Sequence, residues 1–342
     1  MKNIKITKAG SKSFSALTIS FLFFIFISSC ENKKENNLEI SKPPIKEDTI
    51  WHGPDTNNIP SNEFGELVKY GRSLILNTAY YIGPNGISGK YLGNKMNCTN
   101  CHLEAGTKPF AFNFFSAHAR YPQYRGRENK VLSLADRINN CIERPHNGKH
   151  LPLNSKEMLA ITSYIKWLGE NVPVNSNVNG DAPFNIGYID RAADPNKGEK
   201  IYLENCMSCH GKNGNGKLRA DKVTYEYPPL WGDSSYQIGS SVHRIYRMAS
   251  FVYCNMPHKQ ASYLKPVLSV EDAYDVAAFI NDDRIHKRPK PVTKVDYPNI
   301  KFKPIDYFKG PYLDSFPETQ HKFGPYQPIV DYYKSRNLKI IF

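Results

Sequence analysis

No run in this 342-residue chain has the length of a bilayer-spanning helix. The longest apolar stretch, Phe14 to Ile27, has fourteen residues, against the roughly 20 that a spanning helix needs. Paired segments of alternating apolar and polar residues are also missing. Their absence excludes a sheet-based architecture and leaves an all-α one. Acidic residues are in deficit, 32 against 45 lysines and arginines, for a net charge of +13. A basic chain suits nucleic acid, an acidic surface or small anions. The interleaved basic and aromatic residues of a nucleic-acid site are absent, so nucleic acid is excluded and small anions, or the acid groups of a cofactor, remain. Apolar residues make up 40% of the chain and aromatics 13%, ample for real cores, and the length suits about two domains.

The N-terminus has its own character. Lys2, Lys5, Lys8 and Lys12 precede the apolar run, which stops at Ile27-Ser28-Ser29-Cys30. A basic start, a short apolar segment and a cysteine at its end resemble the lipobox of bacterial lipoproteins. Residues 1–29 then form a signal peptide and Cys30 the lipid anchor. The other reading is an ordinary signal peptide cut near Ser28 or Ser29, with Cys30 incidental. Residues 30–50, polar and carrying Pro43-Pro44, read as a tether. The chain is expected to be exported, as a periplasmic or cell-envelope lipoprotein. Residues 1–29 hold four lysines and no acid, so their removal lowers the charge to +9.

Six cysteines remain. Four form "NCTNCH" (Cys98, Cys101, His102) and "NCMSCH" (Cys206, Cys209, His210), an internal repeat. Cys-x-x-Cys-His is the attachment pattern of haem c: two thiols add to the vinyl groups and the adjacent histidine lies under the iron. A zinc site built from both pairs leaves both histidines idle. A thioredoxin-like motif wants a βαβ setting and no histidine. Two covalently bound haems c are therefore expected, with His102 and His210 as proximal ligands. The repeat sets the organisation: residues 51–170 a first haem domain, 171–194 an Asn/Pro/Gly-rich linker, 195–285 a second haem domain. Helical spacing supports this in Phe64–Tyr80, in Val131, Leu134, Ile138 and Cys141, and in Met158, Ile161, Ile165 and Leu168 after a Ser155 cap. Asp194-Pro195 opens a helix into Cys206, and Ser269-Val-Glu-Asp272 resembles a capping box for Val270–Ile280. Residues 286–342 carry eight prolines and eleven aromatics. That composition reads as an extended strap lying across both domains and burying its rings.

The sixth ligand of each iron decides function, because methionine raises a haem potential and thiolate lowers it. For the second haem, Met256, followed by Pro257, stands where small c-type cytochromes place this ligand. Met248 is the runner-up, its alternative being core packing. For the first haem His118, Cys141 and His146 are candidates, and residues alone do not choose among them. The leftover pair Cys141 and Cys254 also suggests a disulfide.

The segments "NCTNCHLEAGTKPF", "ARYPQYRGRE", "DRINNCIERPHNGKHLP" and "QHKFGPYQPI", with "FGELVKYGRSLILNTAYYIGP" and "NMP", resemble the thiosulfate dehydrogenase family of dihaem cytochromes from Trp51 to about Val330. The resemblance implies two class I cytochrome c domains in tandem and interconversion of thiosulfate and tetrathionate. It implies that Cys141 is the axial ligand of the first, catalytic haem and Met256 that of the second, electron-transfer haem. It further implies that Cys141 leaves the iron to hold a substrate-derived sulfur, that Arg127 and Arg137 line the substrate site, and that a partner cytochrome takes the electrons. Guanidinium forks suit the dianionic substrate.

Two positions depart from the family. Pro145 and His146 stand where the family has serine and methionine; a protonated His146 is one replacement donor for the anion, and the change equally suits another sulfur compound or another preferred direction. Asn255 replaces the lysine that some relatives place beside the methionine. A non-catalytic dihaem cytochrome, an enzyme for a related sulfur compound, and a lipoprotein with a Cys141–Cys254 disulfide are the other readings.

Overall fold

The computed structural model describes residues 49–289 and 296–342. The proposed signal peptide, the anchor Cys30 and nearly all of the tether lie outside them. The first half holds α1 (Glu63–Leu76), α2 (Thr78–Ile82), α3 (Leu103–Gly106), α4 (Ala117–Arg120), α5 (Leu134–Glu143) and α6 (Lys156–Leu168). The second holds α7 (Pro195–Asn205), α8 (Met207–His210), α9 (Ile245–Asn255) and α10 (Val270–Ile280). The strap contributes α11 (Glu318–Phe323) and α12 (Gln327–Ser335).

Polar caps set where these helices start. Asn62, Ser155, Asp194 and Ser269 each turn a side-chain oxygen onto a backbone N–H of the first turn, which satisfies donors the helix cannot. Ser133 does the same for α5, accepting from Asp136 N at 3.1 Å while the Asp136 carboxylate accepts from Ser133 N at 2.9 Å. This capping box starts the helix beyond Val131, so Val131 does not share the face of Leu134, Ile138 and Cys141. It sits instead in a short antiparallel hairpin, β1 (Gln123–Arg125) with β2 (Lys130–Leu132), and is exposed. A second small hairpin pairs β3 (Lys217–Leu218) with β4 (Tyr225–Tyr227). The helical pattern of residues 64–80 breaks at Asn77, between α1 and α2.

The two halves repeat one helix crossing. In the first, α1 packs on α6 at Gly71, where a Cβ would lie 2.0 Å from the Ala160 carbonyl oxygen. In the second, α7 packs on α10 at Gly198, where a Cβ would lie 2.0 Å from the Asp275 carbonyl oxygen. Only glycine lets the backbones approach so closely. Val68, Leu74, Ile75, Met158, Ile161, Ile165 and Leu168 are buried around the first crossing, and Tyr202, Ala273, Tyr274, Ala277 and Ile280 around the second. The end of the linker is pinned to α10 by a bidentate pair, Arg191 to Asp275 at 2.7 and 2.8 Å.

The strap is not extended throughout. Its prolines flank its helices rather than interrupt them: Pro317 precedes α11 and Pro328 lies in the first turn of α12, where no intrahelical N–H is lost. Phe323 and Tyr326 join the core of the second half, and Phe342 packs against it. Ile305, Ile329, Val330 and Tyr333 form a small core of the strap's own. Its start reaches the first half through Asp296 and Tyr297, which meet Arg127.

Candidate catalytic and electron-transfer sites

The first Cys-x-x-Cys-His forms a single 3₁₀ turn, Cys98–Asn100, closed by Cys101 N donating to Cys98 O at 3.2 Å, with His102 N donating to the same carbonyl at 2.9 Å. The tail that follows curls back so that the His102 ring meets the Phe112 carbonyl. A carbonyl only accepts, so Nδ1 carries the proton and Nε2 is left for another partner. The Cys141 sulfur comes close enough for the His102 ring to lower its pKa. Burial raises the Cys98 and Cys101 thiols to about 12 and about 11.

Cys141 behaves differently. Burial pushes its thiol up too, but Arg137, then His102 and Arg144, outweigh this and draw it down to about 6. Arg137 stands one helical turn before it on α5 and donates Nη1 to the sulfur at 2.9 Å. No described cysteine is in a disulfide, so the expected alternative of a Cys141–Cys254 bridge is not found.

Two more guanidiniums approach. Arg127, in the β1–β2 turn, is close enough to Arg137 for their charges to oppose each other. Its Nη2 lies 3.0 Å from Asp296 Oδ2, and the rings of Tyr297 and Tyr307 lie under it. Arg144 Nη2 lies 3.0 Å from Glu128 Oε1 and 3.3 Å from Asp296 Oδ1. The structure thus brings Arg127, Arg137, Cys141 and His102 together and adds Arg144, which the sequence reading passed over. Its signal was available, since positions 137, 141 and 144 follow helical spacing. Asp296, about 150 residues further on, had none.

Of the other two candidates, His118 lies away from the first haem motif and His146 lies beside it. His118 faces Lys166 across a surface cavity of about 670 Å³, lined also by Phe64, Leu67 and Tyr121 and by none of Cys98, Cys101 or His102. His146 is buried, with Nδ1 3.3 Å from Asn94 Oδ1 and Nε2 3.8 Å from Cys98 Sγ. Burial lowers its pKa to about 4, so it is a neutral ring at pH 7 and not the cationic donor expected in place of the family's serine.

The second Cys-x-x-Cys-His closes α7 and forms α8. His210 Nδ1 donates to the Pro228 carbonyl at 2.8 Å, again leaving Nε2. Cys206 is raised by burial to about 12. Cys209 faces a cavity of about 460 Å³ that also meets Tyr227, Pro257 and Lys259. Met256 caps α9 and packs, partly buried, with Leu103, Ala111, Phe112 and Phe251. Met248 lies in the core of the second half. The Phe112 and Phe251 rings stack at 5.2 Å, so one apolar cluster runs from the neighbour of His102 to Met256.

These donor sets fit a haem at each site. Each histidine is oriented by a carbonyl on its far nitrogen, as metal-bound histidines are, and stands beside two thiols that are not joined to each other. The Cys141 sulfur, from another element, is near enough to His102 for the ring to act on its pKa. A helical chain with two such sites is a c-type cytochrome of two domains. Residues 90–174 match the SoxA/TsdA cytochrome c domain family and residues 195–282 the cytochrome c family, which implies two haem c groups. The chain is 34% identical over 237 residues to the thiosulfate dehydrogenase of Thiomonas intermedia, covering 69% of this chain and 72% of that one. It is 36% identical over 265 residues to the thiosulfate dehydrogenase of Psychrobacter arcticus, covering 75% and 73%. The solved thiosulfate dehydrogenase (TsdBA) of Marichromatium purpuratum superposes with a TM-score of 0.64 at 30% identity, over 70% of this chain. This chain spans half the length of that solved chain. The chain belongs to the thiosulfate dehydrogenase family.

Proposed function

We infer that this protein joins two thiosulfates into tetrathionate, or splits tetrathionate in the reverse direction, at Cys141. The observation that carries the reading is the 2.9 Å contact of Arg137 Nη1 with Cys141 Sγ inside a cluster of three arginines. A sulfur nucleophile is useful as a thiolate, and a dianionic substrate needs fixed guanidiniums. Both requirements meet at one point of the fold.

The chemistry balances on the chain's own residues. Arg127 and Arg137 receive the sulfonate end of one thiosulfate and turn its terminal sulfur toward Cys141. A sulfur–sulfur bond forms between them as two electrons are withdrawn, leaving Cys141 with a bound S–SO₃⁻ unit. The terminal sulfur of a second thiosulfate attacks the substrate-derived sulfur of that unit, tetrathionate departs and the Cys141 thiolate returns. Cys98, Cys101, His102 and Cys141 would hold the first haem c, and Cys206, Cys209, His210 and Met256 the second, the four paired cysteines through thioether bonds. When bound, the two haems supply one-electron acceptors. A c-type cytochrome is the proposed onward partner, with the protein held in the cell envelope through a lipidated Cys30.

The test is steady-state oxidation of thiosulfate with ferricyanide by purified protein, beside Cys141→Ala. The variant is expected to lose at least about a hundredfold in kcat, the scale of removing a group that bonds to substrate, with two haems still present by pyridine haemochrome assay. Undiminished turnover in that variant overturns the reading and leaves an electron-transfer cytochrome.

A further inference from the structure

The strap brings to the arginine cluster a carboxylate that the proposed chemistry does not use. Asp296 Oδ2 lies 3.0 Å from Arg127 Nη2, and Oδ1 lies 3.3 Å from Arg144 Nη2. The Tyr307 hydroxyl donates to Oδ2 at 2.8 Å. One carboxylate therefore bridges two guanidiniums that belong to different elements, the β1–β2 turn and the end of α5, and is itself held in place by a third group.

The two arginines depend on it unequally. Arg144 has a second acid, Glu128 at 3.0 Å. Among the described residues Arg127 has no second ion pair; its other neighbours are the rings of Tyr297 and Tyr307, 5.6 and 5.8 Å from Cζ. Its Nε is buried without a hydrogen-bond partner. The four charged side chains are only 10% to 14% exposed, so water screens them weakly and a missing partner is felt strongly. Asp296 takes one nitrogen of each guanidinium, and an arginine has five N–H donors. Donors on both arginines stay open to an anion while their spacing is fixed.

We propose that Asp296 is a positioning residue of the anion site: it holds Arg127 and Arg144 at a set separation, so that the strap completes the pocket into which thiosulfate fits beside Arg137 and Cys141. This rests on the thiosulfate reading given above. Without the bridge, Arg127 faces Arg137 and Arg144 with no counter-charge of its own and turns away.

The experiment compares wild type, Asp296→Asn, Asp296→Glu and Tyr307→Phe as purified dihaem proteins. Two quantities are read: KM and kcat for thiosulfate, and the calorimetric Kd of thiosulfate for protein reduced with titanium(III) citrate, in which oxidation cannot proceed. Asp296→Asn is expected to raise KM and Kd by about tenfold, the factor carried by 1.4 kcal/mol, with kcat within threefold and the first haem's absorption spectrum unchanged. Asp296→Glu is expected to recover part of the loss. Tyr307→Phe, which keeps the ring and frees the carboxylate, gives a smaller rise of the same sign and serves if Asp296→Asn does not fold. Unchanged KM and Kd in Asp296→Asn and Tyr307→Phe overturn the proposal. So does a fall in either, the sign of a carboxylate that competes with the substrate, and so does a loss confined to kcat. Failure of the thiosulfate reading itself is distinct, because wild type then neither binds nor oxidises thiosulfate.

Discussion

Arg137 earns its effect from a helical spacing of four. On α5 it stands one turn before Cys141, and a charged donor at 2.9 Å from a partly buried sulfur stabilises the thiolate. Replacing it with glutamine removes the charge and withdraws the donor from the sulfur. The expected result is a ten- to hundredfold fall in kcat/KM for thiosulfate, following from about 1.5–3 kcal/mol for a hydrogen bond to a charged group, with Arg137→Lys intermediate. Steady-state kinetics at pH 7 decide it, and a change of less than twofold rejects the role. At this scale much was legible in the sequence, since the paired cysteines, their histidines and the arginine before Cys141 act through neighbours in the chain. Residue type alone did not choose among Cys141, His118 and His146, since all three are plausible ligands.

Helices show the same division. The caps at Ser155 and Ser269 and the apolar faces of α6 and α10 follow from local chemistry and stand where the sequence predicts them. The starts of α5 and of the two strap helices needed finer reading of the same chemistry: a capping box for α5, a proline at the cap of α11 and a proline in the first turn of α12. The glycine crossings were not foreseen, because a glycine in a helical pattern does not say what approaches it. Gly71→Ala and Gly198→Ala each push a methyl group into a backbone carbonyl. Each is expected to cost about 1–3 kcal/mol by overpacking, more than the ~1 kcal/mol that alanine gains in helix propensity. Denaturant unfolding of the dihaem protein measures this, and a stability equal to or above wild type refutes the crossings as described.

Across the whole molecule, the strap is tied to the second half by charge as well as by rings. His243 is fully buried and its Nε2 lies 2.9 Å from Asp283, which also meets Lys322 of α11. Burial, with Arg288 and Lys322 against the opposing pull of Asp283, lowers the His243 pKa to about 4. The unfolded chain binds this proton near the ordinary 6.5, so the stabilisation is complete above pH 6.5 and is lost as pH falls toward 4. The loss from this group approaches about 1.4 kcal/mol per pH unit. Unfolding free energies at pH 7.5, 6 and 5 are expected to fall more steeply in wild type than in His243→Gln, and parallel slopes exclude His243 as the cause. The sequence by itself determined that this is a two-domain, helical, haem-binding chain of the thiosulfate dehydrogenase kind, because motifs and caps act over three or four residues. The tertiary structure alone decided that Cys141 comes near His102, that Arg144 acts with Arg137 on the sulfur, and that Asp296 of the strap bridges Arg127 and Arg144. Those are matters of burial and of distance between remote segments, on which electrostatic strength depends, and no local spacing encodes them.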